Sequence, residues 1–98
     1  MQLLTAAIRA YRKKEGEIAV SIEITIRLNS ILKRHSEDPA GKVIMTIDEG
    51  TRIGQVLEKI PIVKGEAGTI ILNSKLVQED AVLRDGDVVE LYPVMGGG

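Results

Sequence analysis

Residues 20–28 alternate without a break: Val20, Ile22, Ile24, Ile26 and Leu28 are aliphatic, while Ser21, Glu23, Thr25 and Arg27 are polar or charged. Successive side chains of a strand point to opposite faces, so this period of two specifies a strand with one face buried and the other wet. Such a strand needs a sheet around it and a second layer to cover its apolar face. The hydrophobic fraction of 44% comes mostly from Ile, Val and Leu, with two tyrosines and no Phe or Trp, which also leans toward strands. A length of 98 residues suits one domain.

Residues 42–47 alternate again, with Val43, Met45 and Ile47 on one face and Ile44 and Thr46 on the other. Between these two strands, "NSILKRHSEDPAG" predicts a single helical turn capped by Ser30 and carrying Ile31 and Leu32, closed off by Pro39 and Gly41. After Gly50, Thr51 fits an N-cap, and Ile53, Val56, Leu57 and Ile60 form a helical stripe that Pro61 stops. Then "TIIL", the tight turn "NSK", the return Leu76-Val77, the turn Asp85-Gly86-Asp87 and a strand from Val88 complete the pattern. Strand, strand, helix, strand, short strand, strand describes an α+β domain, a mixed sheet with one main helix packed on one face. That is the β-grasp, ubiquitin-like arrangement. Its first and last strands are expected parallel at the centre, with Ile24, Ile26, Val89 and Leu91 against the helix stripe.

Ahead of this body, Leu3, Leu4, Ala7, Ile8 and Tyr11 recur at helical spacing, with Arg9, Arg12, Lys13 and Lys14 on the other side. The spacing predicts a short appended helix, which docks on the domain or a partner, or frays. The expected division is an N-terminal extension over 1–18, a β-grasp domain over 19–94 and a flexible glycine tail over 95–98.

Much chemistry is excluded by what the chain lacks. Without cysteine there is no disulfide, thiolate metal site or cysteine nucleophile, which fits a reducing compartment and a cytoplasmic protein. Thirteen basic against fourteen acidic residues offer no general attraction to nucleic acid. No stretch reaches the roughly 18 apolar residues that cross a bilayer, so no membrane association is expected. His35 is the only histidine, lies in the polar "KRHSED", and reads as an exposed surface residue. Glu79, Asp80, Asp85, Asp87 and Glu90 read as turn formers and solvated charges, not as a metal site. No GxGxxG or GxxxxGK[ST] is present, so the chain is expected to bind no cofactor and to act as something other than an enzyme.

The last stretch, "LYPVMGGG", resists those readings. Gly96 to Gly98 can be an incidental floppy end, but glycine also lets another protein's backbone approach closely and follows an extended path at little steric cost. Such a tail can thread a narrow channel, and its carboxylate is then the one group available for acyl chemistry after activation with ATP.

The glycine ending, "LRDGDVVELYPV" before it, the "ILNSKLV" hairpin and the strand-strand-helix opening resemble the ubiquitin-like sulfur carriers of molybdopterin and thiamine biosynthesis. The similarity covers residues 20–98. "LNSILKRHSEDPAG" and "YPV" are more similar to the molybdopterin synthase small subunit, whereas one proline stands where two are common there, and a triple glycine is frequent among the thiamine carriers. The resemblance implies that Gly98, with Gly97 giving room, is adenylated by a ubiquitin-activating-like adenylyltransferase that uses ATP, converted to a thiocarboxylate, and delivered to a sulfur-accepting synthase large subunit. A lysine-conjugated ubiquitin-like modifier and a plain β-grasp interaction module are the rival readings. Strand alternation puts Glu90 and Tyr92 outward, so Ile44, Tyr92, Pro93, Val94, Met95 and Gly96 are the expected partner-binding residues. Alternatively, Ile44 and Tyr92 are scattered surface hydrophobes or lie under the N-terminal helix.

Overall fold

A computed structural model describes residues 10–14, 16–62 and 65–94, with the backbone alone for 12–14. Its elements are strands β1 (Ala10–Lys14) and β2 (Glu17–Leu28), a 3₁₀ segment (Ser30–His35) and β3 (Lys42–Asp48). Helix α1 (Ile53–Leu57), β4 (Ala67–Leu72), β5 (Lys75–Val77) and β6 (Val88–Pro93) follow. The strands form one six-stranded sheet in the order β1-β2-β6-β4-β5, with β3 also paired to β2. The β2–β6 pair is parallel and central, joining Ile26 to Val89 and Leu28 to Leu91. All other pairs are antiparallel. This is the expected β-grasp architecture.

The alternation in β2 is realised as expected. Ile22, Ile24, Ile26 and Leu28 are buried and share one core with Ile47 of β3, Ile53 and Val56 of α1, Ile60, Ile70 of β4, and Val89 and Leu91 of β6. Each fully buried aliphatic of this kind contributes about 1.5–3 kcal/mol by leaving water. Leu32 of the 3₁₀ segment joins the same core.

Four local expectations are corrected. The helix covers only Ile53–Leu57, and Lys59 and Ile60 donate to Val56 and Leu57, three residues back, in a tightened last turn. Pro61 explains the stop, because its ring disfavours helical geometry in the residue before it. Arg52, not Thr51, is the N-cap, and its amide is satisfied by Gln55 Oε1 at 2.9 Å, while the Thr51 hydroxyl donates to the Asp48 carbonyl. Ser30 caps nothing: Asn29 occupies the cap position, and Ile31 faces solvent. Most extensively, Ala10–Lys14 is a strand and not part of a helix, with Ala10 opposite Val20 and Tyr11 opposite Ala19. The Tyr11 hydroxyl donates to Asp48. Residues 3–9 of the expected helix lie outside the described residues.

The turns before β5 and β6 are stitched together. Asn73 and Ser74 both adopt positive φ, 48° and 73°, the geometry of a two-residue hairpin turn. The Asn73 side chain donates to Asp87 Oδ1 at 2.8 Å and accepts from the Val88 amide at 2.9 Å, and Asp87 Oδ2 accepts from the Arg84 amide at 2.8 Å. Asp87 is the buried charged residue of the described structure, and removing its carboxylate strands two donors. Asp87→Ala is therefore expected to cost about 2 kcal/mol in a denaturant titration. A loss below about 0.5 kcal/mol would show that water replaces the carboxylate.

Among the described residues no helix is long and apolar enough to cross a membrane.

Candidate functional site

The site grows from the end of β6. Within Val88–Pro93 the burial alternates, so Val89, Leu91 and Pro93 face the core and Tyr92 faces out. The strand does not end freely: Ala67 of β4 lies opposite Pro93, and the Val94 amide donates to the Glu66 carbonyl at 3.2 Å. Val94, 59% exposed, is thus the last described residue before the glycines, and it is still held in the sheet.

Glu66 also ties this point to the 3₁₀ segment. Its Oε1 lies 3.1 Å from His35 Nε2, and its Oε2 pairs with the Arg34 guanidinium. Only 12% of the Glu66 side chain and 16% of the His35 ring are exposed. His35 is therefore not the exposed surface residue expected from its polar surroundings but part of a joint beneath the start of the tail. Sequence gave no pointer to this joint, because Arg34 and His35 are separated from Glu66 by some thirty positions and no motif links them. Gly68, inside the strand pattern of "AGTIIL", did carry a signal, since an isolated glycine in a strand marks a bulge or a close backbone approach.

The expected partner-binding residues separate on inspection. Tyr92 and Val94 are exposed, as expected. Pro93 is not: it is buried, because it shares the inward parity of Val89 and Leu91. Ile44 is exposed and on the outer face of β3, but it does not join Tyr92 in one patch. Ile44 stands opposite Thr25, which aligns with Val88, four residues before Tyr92 and two strands away, a separation of about 16 Å. Arg27 and Glu90 face each other across the intervening β2–β6 pair. The apolar residues that do neighbour Tyr92 on the outer face are Ile71, a diagonal neighbour, and Leu76 opposite Ile71. Leu76 is 73% exposed, and sequence reasoning had placed it only as a strand return. Met95, Gly96, Gly97 and Gly98 lie outside the described residues.

Two of the acidic residues near β6, Asp85 and Asp87, hold turns. Asp85 Oδ1 accepts from the Glu23 amide at 2.9 Å, and Asp87 holds the turn described above. Among the described residues no group of His, Cys, Asp and Glu could hold a metal ion.

Comparison with known proteins agrees with this geometry. A family model described as the ThiS family matches residues 26–98. Among curated proteins, none matches the chain. Among solved structures, the Haloferax volcanii HVO 2177 protein is similar with a TM-score of 0.65 and 20% identity, over 80% of this chain and 88% of that one. A putative molybdopterin converting factor, subunit 1, from Pyrococcus furiosus gives a TM-score of 0.59 and 22% identity, over 74% and 97%. SAMP1 from Haloferax volcanii gives 0.58 and 14%, over 78% and 99%. These likenesses establish the shared fold, and the family match extends through the glycine ending. The chain belongs to the ThiS family, a group of ubiquitin-like sulfur carriers built on the β-grasp.

Proposed function

We propose that the chain carries sulfur on the carboxylate of Gly98 for the biosynthesis of a sulfur-containing cofactor, molybdopterin in the first instance. The observation that carries the reading is the family match through Gly98, joined to a β6 that reaches the surface at Val94 with four residues still to follow.

The chemistry follows from a bare acyl end. A carboxylate oxygen of Gly98 attacks the α-phosphorus of ATP in a ubiquitin-activating-like adenylyltransferase, and pyrophosphate leaves. The acyl adenylate is electrophilic where the carboxylate was not, so a sulfide-level nucleophile displaces AMP and leaves a thiocarboxylate. The thiocarboxylate sulfur, the stronger nucleophile near neutral pH, attacks an acceptor on a synthase large subunit, and water then cleaves the acyl carbon–sulfur bond, leaving the sulfur on the acceptor and returning the Gly98 carboxylate. The carrier's own contribution is presentation: residues without side chains enter the enzyme's channel, and Tyr92 and Val94 offer exposed apolar surface at its mouth. The carrier needs no bound cofactor for this, since the ATP is consumed on the activating enzyme.

The 3₁₀ segment between β2 and β3, with Leu32 fully buried, supports the molybdopterin branch, where the resemblance of "LNSILKRHSEDPAG" pointed. The triple glycine favours thiamine biosynthesis as the second reading.

Incubation with ATP, an adenylyltransferase of this class and a sulfide source, followed by intact mass measurement, tests the proposal. The expected result is the replacement of one oxygen by one sulfur at Gly98. Branched Gly-Gly peptides on lysines of other proteins, without that exchange, would instead support a modifier, and failure to form any adenylate would end both readings.

A further inference from the structure

The β4–β6 ladder slips by one residue immediately before the tail. Ala67 lies opposite Pro93 and Thr69 opposite Tyr92, which leaves Gly68 as the extra residue of a β-bulge. Val94 passes directly over it. A methyl group at position 68 would lie 2.8 Å from Val94 Cα, 2.9 Å from its Cγ2 and 3.1 Å from its nitrogen. Carbon atoms in ordinary contact stay about 3.5–4.0 Å apart, so no side chain fits there unless Val94 moves. The same Val94 nitrogen donates to the Glu66 carbonyl, and Glu66 is in turn anchored by Arg34 and His35. Val94 is therefore drawn in by one neighbour of the bulge and admitted by the bareness of the bulge itself.

We propose that Gly68 is a positioning residue: the missing Cβ lets Val94 lie against β4 and so sets the direction in which the chain leaves the sheet toward Gly98. Gly68 touches no reacting atom and acts only through Val94. The consequence for activation rests on the sulfur-carrier reading, whereas the steric coupling of positions 68 and 94 does not. A wall of backbone at 2.8 Å cannot yield as the end of a long side chain would, so even alanine displaces the chain. A tail leaving at another angle must be bent back before it enters an enzyme channel, a cost that falls on productive binding.

The experiment has two arms on the full chain. Amide hydrogen exchange at position 94 reads the bond to Glu66, and steady-state adenylation reads the kinetic consequence. Gly68→Ala is expected to speed exchange at 94 by at least about tenfold. It should raise the KM for the carrier by about tenfold while kcat changes less than about twofold. Adding Val94→Gly removes only the Cγ2 collision and leaves the Cα and nitrogen in the way, so exchange at 94 in the double variant should stay faster than in Val94→Gly alone. A role in stability alone would lower the unfolding temperature and leave KM unmoved. Unchanged exchange in Gly68→Ala, or faster exchange with an unchanged KM, overturns the proposal. If Gly68→Ala does not fold, the double variant decides: faster exchange at 94 than in Val94→Gly alone supports the coupling, and equal exchange overturns it. If the wild-type chain is never adenylated, the sulfur-carrier reading falls, and the exchange arm alone still decides whether Gly68 holds Val94.

Discussion

Deleting Gly97 and Gly98 is expected to abolish adenylation and sulfur loading while the thermal midpoint stays within about 1–2 °C of wild type. Both halves follow from where the core lies. Every residue of the buried cluster falls between Ile22 and Leu91, and the last backbone bond of the sheet described is made by Val94. No member of the described core is removed with the last two residues, whereas the deletion shifts the terminal carboxylate two positions back toward the body. The activating enzyme then needs the folded domain to enter a channel sized for bare backbone, which sterics forbid. Intact mass after incubation with ATP and sulfide checks the first half, and a circular dichroism melt checks the second. A fall of several degrees in the midpoint would show that the tail belongs to the folded body and would remove the ground for the proposed role.

Leu91→Ala carries the largest expected effect on stability. Leu91 is fully buried, lies opposite Leu28 across the parallel pair and opposite Ile70 across the antiparallel one, and so sits where three strands meet the core. Truncating such a leucine removes its transfer free energy and leaves a cavity that a sheet this interlocked cannot close, a loss of about 3–4 kcal/mol. For a domain of this length that lowers the thermal midpoint by roughly 15–25 °C. Tyr92→Ala, one residue along the same strand but on its outer face, should cost less than about 1 kcal/mol. Guanidinium titrations of the two variants measure the contrast. Equal losses would mean that β6 does not alternate between core and solvent as its burial indicates.

That contrast also shows how much was legible beforehand. The faces of β2, β3 and β6 followed from alternation alone, because the direction of a side chain in a strand is fixed by the residue's own backbone. The same parity, applied one residue further, would have placed Pro93 inside. It was assigned to the partner surface instead because of its nearness to the tail. Ile44 was rightly placed on the outer face, but its distance from Tyr92 depends on pairing register, and register joins residues such as Thr25 and Val88 that lie far apart in the chain. The helical spacing around Leu3 to Tyr11 was real as a pattern, yet a segment that short has little helical stability of its own. At Ala10–Lys14 the open backbone edge of Glu17–Val20 supplied hydrogen-bond partners that a local pattern cannot reveal.

By itself, the sequence determined the class of fold, the inward and outward faces of its strands, and the glycine run 96–98 on which the carrier proposal rests, since each of these is local: a period, a turn residue, a missing side chain. Only the tertiary structure decided that residues 10–14 pair as a strand, that Ile44 and Tyr92 stand apart, and that Val94 lies against Gly68 while its amide bonds Glu66, itself held by His35. The physical reason is that strand pairing and close packing are contacts between segments distant in the chain, and their energies exceed the weak local preferences from which a sequence is read.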